Sequence, residues 1–224
     1  MQDCGGKLMS LEKMSKFFED RIGGYDEHML SNVVGYKEAC VQLPSLITGH
    51  CERLLDLGCG TGLELENVFK SFPHIQVTGI DLTQSMLDKL QDKYTGKSLQ
   101  LICGSYFDVE LATQSFDCAI SFETLHHFSH EAKIGLYKKI CKALKPKGIY
   151  IECDYMVETQ EEEDYYYREY YRFMKDIAVS KEEFYHYDTP CTLDNQIKML
   201  KEAGFIKVEK VFMMDHTTMI TAAK

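Results

Sequence analysis

No stretch of this 224-residue chain holds the ~18 consecutive apolar residues needed to cross a bilayer as a helix, so a membrane-spanning role is not expected. The opening residues, Met-Gln-Asp-Cys-Gly-Gly, include an acid and lack an apolar run, which argues against a secretory leader. Nine cysteines are present, yet none forms a Cys-x-x-Cys pair or a zinc-ligand spacing. Several of them (Cys103, Cys118, Cys153) fall in apolar runs, as reduced core thiols of a cytoplasmic protein would. Basic residues are also short: 25 against 35 acids leave a net charge of −10. Such a surface repels phosphate backbones, and no local basic patch offsets it. The expected partner is a small molecule, with no nucleic acid, no membrane, no metal and room for a homodimer.

What is present is concentrated in residues 54–62, Leu-Leu-Asp-Leu-Gly-Cys-Gly-Thr-Gly, and in Asp81, nineteen residues past the last of these glycines. An apolar strand runs into glycines at 58, 60 and 62, which permit a sharp turn and leave no Cβ between backbone and ligand. Leu65, Val68, Phe69 and Phe72 then recur at helical spacing. A second apolar strand, 75–80, ends at Asp81. This is the layout of a βαβ unit for an adenosine-type ligand, the carboxylate accepting from both ribose hydroxyls. Position 63 is leucine where a dinucleotide fingerprint has its third glycine, and no lysine follows Gly62 as a P-loop requires.

The segment resembles the first motif of class I S-adenosylmethionine (SAM)-dependent methyltransferases, Asp/Glu-x-Gly-x-Gly-x-Gly, matched by Asp56, Gly58, Gly60 and Gly62 with Cys59 inside the loop. The likeness continues through Asp81-Leu82, through Met86 where an apolar side chain covers the adenine, and through Cys103-Gly104-Ser105-Tyr106. In that last motif Ser105 replaces a frequent aspartate. Strand four, 116–122, carries Ser121 and is followed by Leu125-His126-His127-Phe128, and Leu144-Lys145-Pro146-Lys147-Gly148 turns into strand five. The resemblance implies SAM as cofactor and S-adenosylhomocysteine as product. It implies a Rossmann-like α/β fold with a seven-stranded, mostly parallel sheet and a C-terminal antiparallel hairpin. Its cofactor contacts would come from Asp56, Gly58, Cys59, Gly60, Gly62, Asp81, Leu82, Met86, Gly104, Ser105, Tyr106 and Ser121.

A narrower likeness, to the carboxy-SAM synthases, rests on Phe17-Phe18-Glu19-Asp20-Arg21, Gly35-Tyr36 and 200–205, and implies that Tyr36 reaches the amino-acid end of the cofactor. The chain departs from that pattern at Gly60, at Ser121 and at Met199, the last standing where an arginine pairs the extra carboxylate. Methyl transfer is therefore the leading reading, ahead of a carboxy-SAM synthase-like reaction or a non-catalytic SAM-binding module.

One domain is expected, divided into N-terminal cap helices (1–50), a cofactor-binding core (51–155), a lid insertion (156–190) and a C-terminal helix and hairpin (191–224). Helical runs are expected at 10–22, 35–47, 62–71, 84–93, 131–144 and 193–203, and strands at 52–57, 75–81, 98–103, 116–121, 149–154, 206–209 and 216–222. Thr192 and Gly204 bracket the last helix as caps. The insertion holds seven of the fourteen tyrosines and a local charge of −6. Tyr166, Tyr170 and Tyr171 are its candidate acceptor-binding residues, with packing on the domain or on a second subunit as the alternative. For chemistry, the sulfonium is already electrophilic, so a base matters only for a protonated acceptor. Glu123, His126 and His127 are the catalytic candidates, with Asp154 and His186 nearby. Adjacent histidines on a helix point about 100° apart, which argues against both ligating one metal ion.

Overall fold

The computed structural model describes residues 12–176 and 183–224. Helices α1 (Met14–Arg21), α2 (Tyr25–Asn32) and α3 (Tyr36–Leu46) precede the first strand. The core then runs β1 (Arg53–Leu57), α4 (Leu65–Ser71), β2 (Gln76–Asp81), α5 (Gln84–Lys93), β3 (Ser98–Cys103) and β4 (Phe116–Phe122). A 3₁₀ turn (Leu125–His127), α6 (His130–Ala143), β5 (Leu144–Val157) and α7 (Gln160–Asp176) follow. The chain closes with β6 (Cys191–Thr192), α8 (Leu193–Glu202), β7 (Lys207–Met214) and β8 (Thr217–Ala223).

The sheet order is β3-β2-β1-β4-β5-β8-β7. The pairings from β3 to β5 are parallel, whereas β8 runs antiparallel to both β5 and β7. These are the expected seven strands and terminal hairpin. An eighth, two-residue strand, β6, pairs with the end of β5 through Met156 and Cys191. Its brevity hides it from any periodicity. The order reverses between β1 and β4, and ligands of open α/β sheets bind beyond the carboxyl ends of strands at such a switch point.

Alternation along β1 explains how that end is built. Leu55 and Leu57 pack with Leu136, Tyr137 and Ile140 of α6 and with Leu200 and Phe205. Leu54 packs on the other face with Ala39 and Leu43 of α3 and Val68 and Phe69 of α4. Asp56 shares the parity of Leu54, so a carboxylate goes into the layer beneath α3 and α4. Ser129 caps α6 by accepting from the Ala132 N–H, and Thr192 caps α8 by accepting from that of Asn195. Gly204 follows α8 at φ +106°, a left-handed terminator. Among the described residues, no helix is long and apolar enough to cross a membrane.

Candidate active site

At the carboxyl end of β1 the chain turns through Gly58, Gly60 and Gly62, at φ +70°, +46° and +68°. Gly58 is the tightest position, because a Cβ there would run into the Thr124 side chain. Asp81 receives this loop: its carboxylate accepts from the Gly60 N–H at 2.9 Å and from the Thr83 N–H at 2.9 Å. Its remaining lone pairs face a narrow cleft of about 40 Å³ lined by Gly58, Gly60, Leu82, Met86 and Tyr106. Met14 and Phe18 of α1, with Tyr25, close it from above. The N-terminal helices thus lie over the glycine loop, and of these three side chains only Phe18 falls within a motif read from the sequence.

Other residues expected here take different places. Cys59 is buried beneath the loop, its sulfur against Gly79. Gly104 donates its N–H to the Asp81 carbonyl at 2.8 Å, and Ser105 accepts from the Phe107 N–H at 3.1 Å; neither lines the cleft. Ser121 is corrected most plainly. Its hydroxyl lies 2.6 Å from that of Tyr150, in a buried network through Glu152, Tyr137 and Gln196 beneath α6. Strand parity turns it away from the loop.

Tyr36 and Asp56 meet behind the loop, joined by Glu64, a residue the sequence motif does not single out. The Tyr36 hydroxyl donates to Glu64 Oε2 at 3.3 Å. Both Asp56 oxygens and Glu64 Oε1 are buried without a hydrogen-bond partner among the described residues. Burial, and then the Glu64 carboxylate, hold the Asp56 carboxyl well above the usual range. Burial likewise raises Glu64.

Next to the cleft opens a much larger cavity, of about 670 Å³. Phe18, Tyr25 and Glu123 line both spaces and form the wall between them. Glu123 sits at φ +47°, a strained conformation for a residue with a side chain, costing of order 1–3 kcal/mol. Its carboxyl is pushed up to about 8 by burial and by Asp154. The floor is formed by His126 and His127, and one side by His186 and Asp188. The segment carrying the latter two is tied down where Thr189 donates its N–H to the His126 carbonyl at 2.6 Å.

His126 Nδ1 lies 2.5 Å from Asp154 Oδ1, while Asp154 Oδ2 accepts from the Leu125 N–H at 2.9 Å. Burial disfavours a charge on His126, but Asp154 outweighs it and lifts the imidazole to about 9. His127 is lowered by burial and by His126, and His186 falls to about 4 through burial and then His127. Burial would raise Asp188, yet His127 and His126 hold its carboxyl far below the usual range. The three imidazoles are therefore shifted apart, His126 upward and His127 and His186 downward.

The expectation that adjacent histidines diverge does not hold here. They occupy a 3₁₀ turn, and their ring centroids are 4.0 Å apart. The lid tyrosines are placed differently as well. Tyr166 pairs its hydroxyl with that of Tyr155 at 3.0 Å, Tyr170 packs on the Tyr187 ring, and Tyr171 is exposed. None of the three lines the cavity. The segment's contribution comes from His186 and Asp188, beyond the helix.

The fold is that of the class I methyltransferases among solved structures. Residues 54–148 match the family described as Methyltransferase domain. Over that segment the chain is similar to methyltransferase domains, and its fold resembles solved structures that hold SAM or S-adenosylhomocysteine. Over 227 aligned residues it is 24% identical to carboxy-S-adenosyl-L-methionine synthase of Nautilia profundicola, covering 96% of each chain. Among solved structures it resembles an O-methyltransferase-like protein of Nostoc punctiforme (TM-score 0.71, 19% identity), covering 98% of this chain and 64% of that one. It also resembles human N-acetylserotonin methyltransferase in complex with SAM (TM-score 0.61, 15% identity), with 93% of this chain and 55% of that one covered. The chain thus spans under two thirds of the length of these two solved structures.

Proposed function

We propose that the chain transfers the methyl group of SAM to a small-molecule acceptor seated in the 670 Å³ cavity. The observation that carries this reading is the shared wall: Phe18, Tyr25 and Glu123 border both the cofactor cleft and the cavity. A methyl donor in one space and an acceptor in the other meet there. The glycine loop, Asp81, Leu82 and Met86 hold the adenosine, and Asp56, Glu64 and Tyr36 serve its amino-acid end. The sulfonium needs no activation, so the protein's work is to hold the acceptor atom in line and exclude water. Phe18 and Tyr25 keep the junction apolar, while Glu123, His126 and His127 bring polar groups to the acceptor. A net charge of −10 further favours neutral or cationic acceptors over phosphorylated ones.

A carboxy-SAM synthase-like reaction is the second reading, favoured by the full-length likeness to such an enzyme. Met199 speaks against it, since it is buried in α8 and packs in the core. Incubation with SAM and a panel of small oxygen, nitrogen and sulfur nucleophiles, and in parallel with small carboxylic acids as carboxyl donors, read by mass spectrometry, separates the readings. Methyl transfer yields S-adenosylhomocysteine and a methylated acceptor. A cofactor that gains a carboxyl group supports the synthase, and cofactor binding without any product indicates a binding module.

A further inference from the structure

Three potential ligand groups, His126, His127 and Asp188, converge on the floor of the large cavity, their ligand atoms all within 4.8 Å of one another. Asp188 Oδ1 is the centre of the cluster. It lies 3.1 Å from His127 Nδ1 and 3.7 Å from His126 Nε2. That oxygen is buried and, among the described residues, accepts no hydrogen bond; His127 Nδ1 also lies 3.3 Å from the Tyr187 carbonyl. A cation about 2.1 Å from each ligand atom, with bond angles of about 90–120°, would separate those atoms by about 3.0–3.6 Å. The 3.1 Å spacing falls inside that range, and the 3.7 Å spacing lies just beyond it.

The surroundings support the same assignment. His126 turns its Nδ1 to Asp154 at 2.5 Å, which leaves Nε2 to face the cavity. A carboxylate behind a ligating imidazole is the usual outer partner of a metal-bound histidine, fixing both tautomer and ring orientation. Asp154 is itself held by the Leu125 N–H at 2.9 Å. Thr189 anchors the Asp188 segment to the His126 carbonyl, so the two sides of the cluster are tied by backbone as well. Glu123 Oε2, 3.9 Å from His126 Nδ1, is a second carboxylate oxygen on the Asp154 side of the ring. The open side of the cluster faces the cavity, where a ligand could complete the coordination.

We infer that His126, His127 and Asp188 bind a divalent transition metal at the floor of the acceptor cavity. Two imidazoles and one carboxylate suit zinc, iron(II), manganese or cobalt, and three protein ligands leave positions for water or an acceptor oxygen. If the cavity receives the methyl acceptor, as the methyltransferase reading holds, the metal would select acceptors with a coordinating oxygen. It would also make a bound hydroxyl easier to deprotonate. Metal binding itself does not depend on that reading.

The test uses purified, chelator-treated protein with zinc or cobalt(II) chloride, and requires neither cofactor nor acceptor. Equilibrium dialysis and the cobalt visible spectrum are recorded for wild type, Asp188→Asn, His127→Gln, Asp154→Asn and Cys191→Ser. Cys191→Ser is the control for a second cluster, His130, Glu163 and Cys191, where Lys133 already lies 3.2 Å from the sulfur. The inference expects one equivalent bound by wild type and by Cys191→Ser. Asp188→Asn and His127→Gln should lose it, and Asp154→Asn should bind about 10–100-fold more weakly. Melting without metal checks that each variant is folded. For a variant that is not, ring-proton signals of wild type decide the matter: zinc should move His126 and His127 and leave His130 in place. Absence of binding, undiminished binding by folded Asp188→Asn, or loss with Cys191→Ser alone would each overturn the assignment. Failure here leaves the methyltransferase reading intact, because that reading is judged by product formation.

Discussion

Glu64 offers the sharpest quantitative test of how the cofactor is held. It shares a buried space with Asp56, and the only donor to the pair among the described residues is the Tyr36 hydroxyl. Two adjacent carboxyls without a cation cannot both ionise cheaply, so the free protein retains a proton on the pair. Burial raises both groups, with Glu64 the next cause for Asp56. SAM brings an α-ammonium, and its arrival would ionise both acids and expel that proton. The sign follows: the free protein binds more protons than the complex, so affinity rises with pH. The window opens above the ordinary carboxylate range of about 4 and closes where the free pair has itself ionised. Within it, release of one proton gives about a tenfold change in affinity per pH unit. The stability of the free protein moves the opposite way. It is complete below the unfolded carboxyl values and declines as pH rises through the raised folded ones. Glu64→Gln removes one titrating partner and one charge-assisted bond of about 1.5–3 kcal/mol, an affinity loss of about 10–150-fold. Titration calorimetry in two buffers of different ionisation enthalpy measures the proton directly. A binding heat independent of buffer, an affinity flat with pH, and wild-type affinity in Glu64→Gln would together refute the reasoning.

Three further outcomes are expected. Asp81→Ala should weaken SAM binding by about 10–150-fold, since bonds to a charged group of ~1.5–3 kcal/mol are lost, and Asp81→Asn should do less harm by keeping one acceptor oxygen; calorimetry on both variants checks this. Gly58→Ala combines a positive φ with a collision at Thr124, so it should lower stability by about 1–3 kcal/mol and impair SAM binding, read by denaturant unfolding and calorimetry. Tyr171→Ala, at an exposed position outside the cavity, should leave SAM affinity and acceptor use at wild-type levels, whereas a selective loss of product formation would restore the α7 tyrosines to the acceptor site.

The features legible in the sequence were those written over short distances. Strand, glycine loop, helix and second strand fall within about 30 residues, and their periodicity and turn chemistry are local properties. Gly58, Gly60, Asp81, Leu82, Met86 and Tyr106 accordingly stand at the cleft, and the Thr192 and Gly204 caps bound α8. Strand parity was available too, but without knowing which face α6 would cover, Ser121 could not be turned away from the cofactor. The rest was decided by packing between distant segments. His126 meets Thr189 across 63 residues, and Tyr36 meets Glu64 across 28. Neither pair shares a motif, and no spacing along the chain encodes the contact. The 3₁₀ turn that brings His126 and His127 together and the drape of Met14 and Phe18 over the loop are likewise products of the assembled fold. Local sequence determined where a cofactor could be gripped. Glu123, His126, His127 and His186 could be named from sequence, but only tertiary structure joined them into one cavity wall with Phe18 and Asp188, because helix α1, the end of β4 and the segment after α7 become neighbours only in the assembled fold.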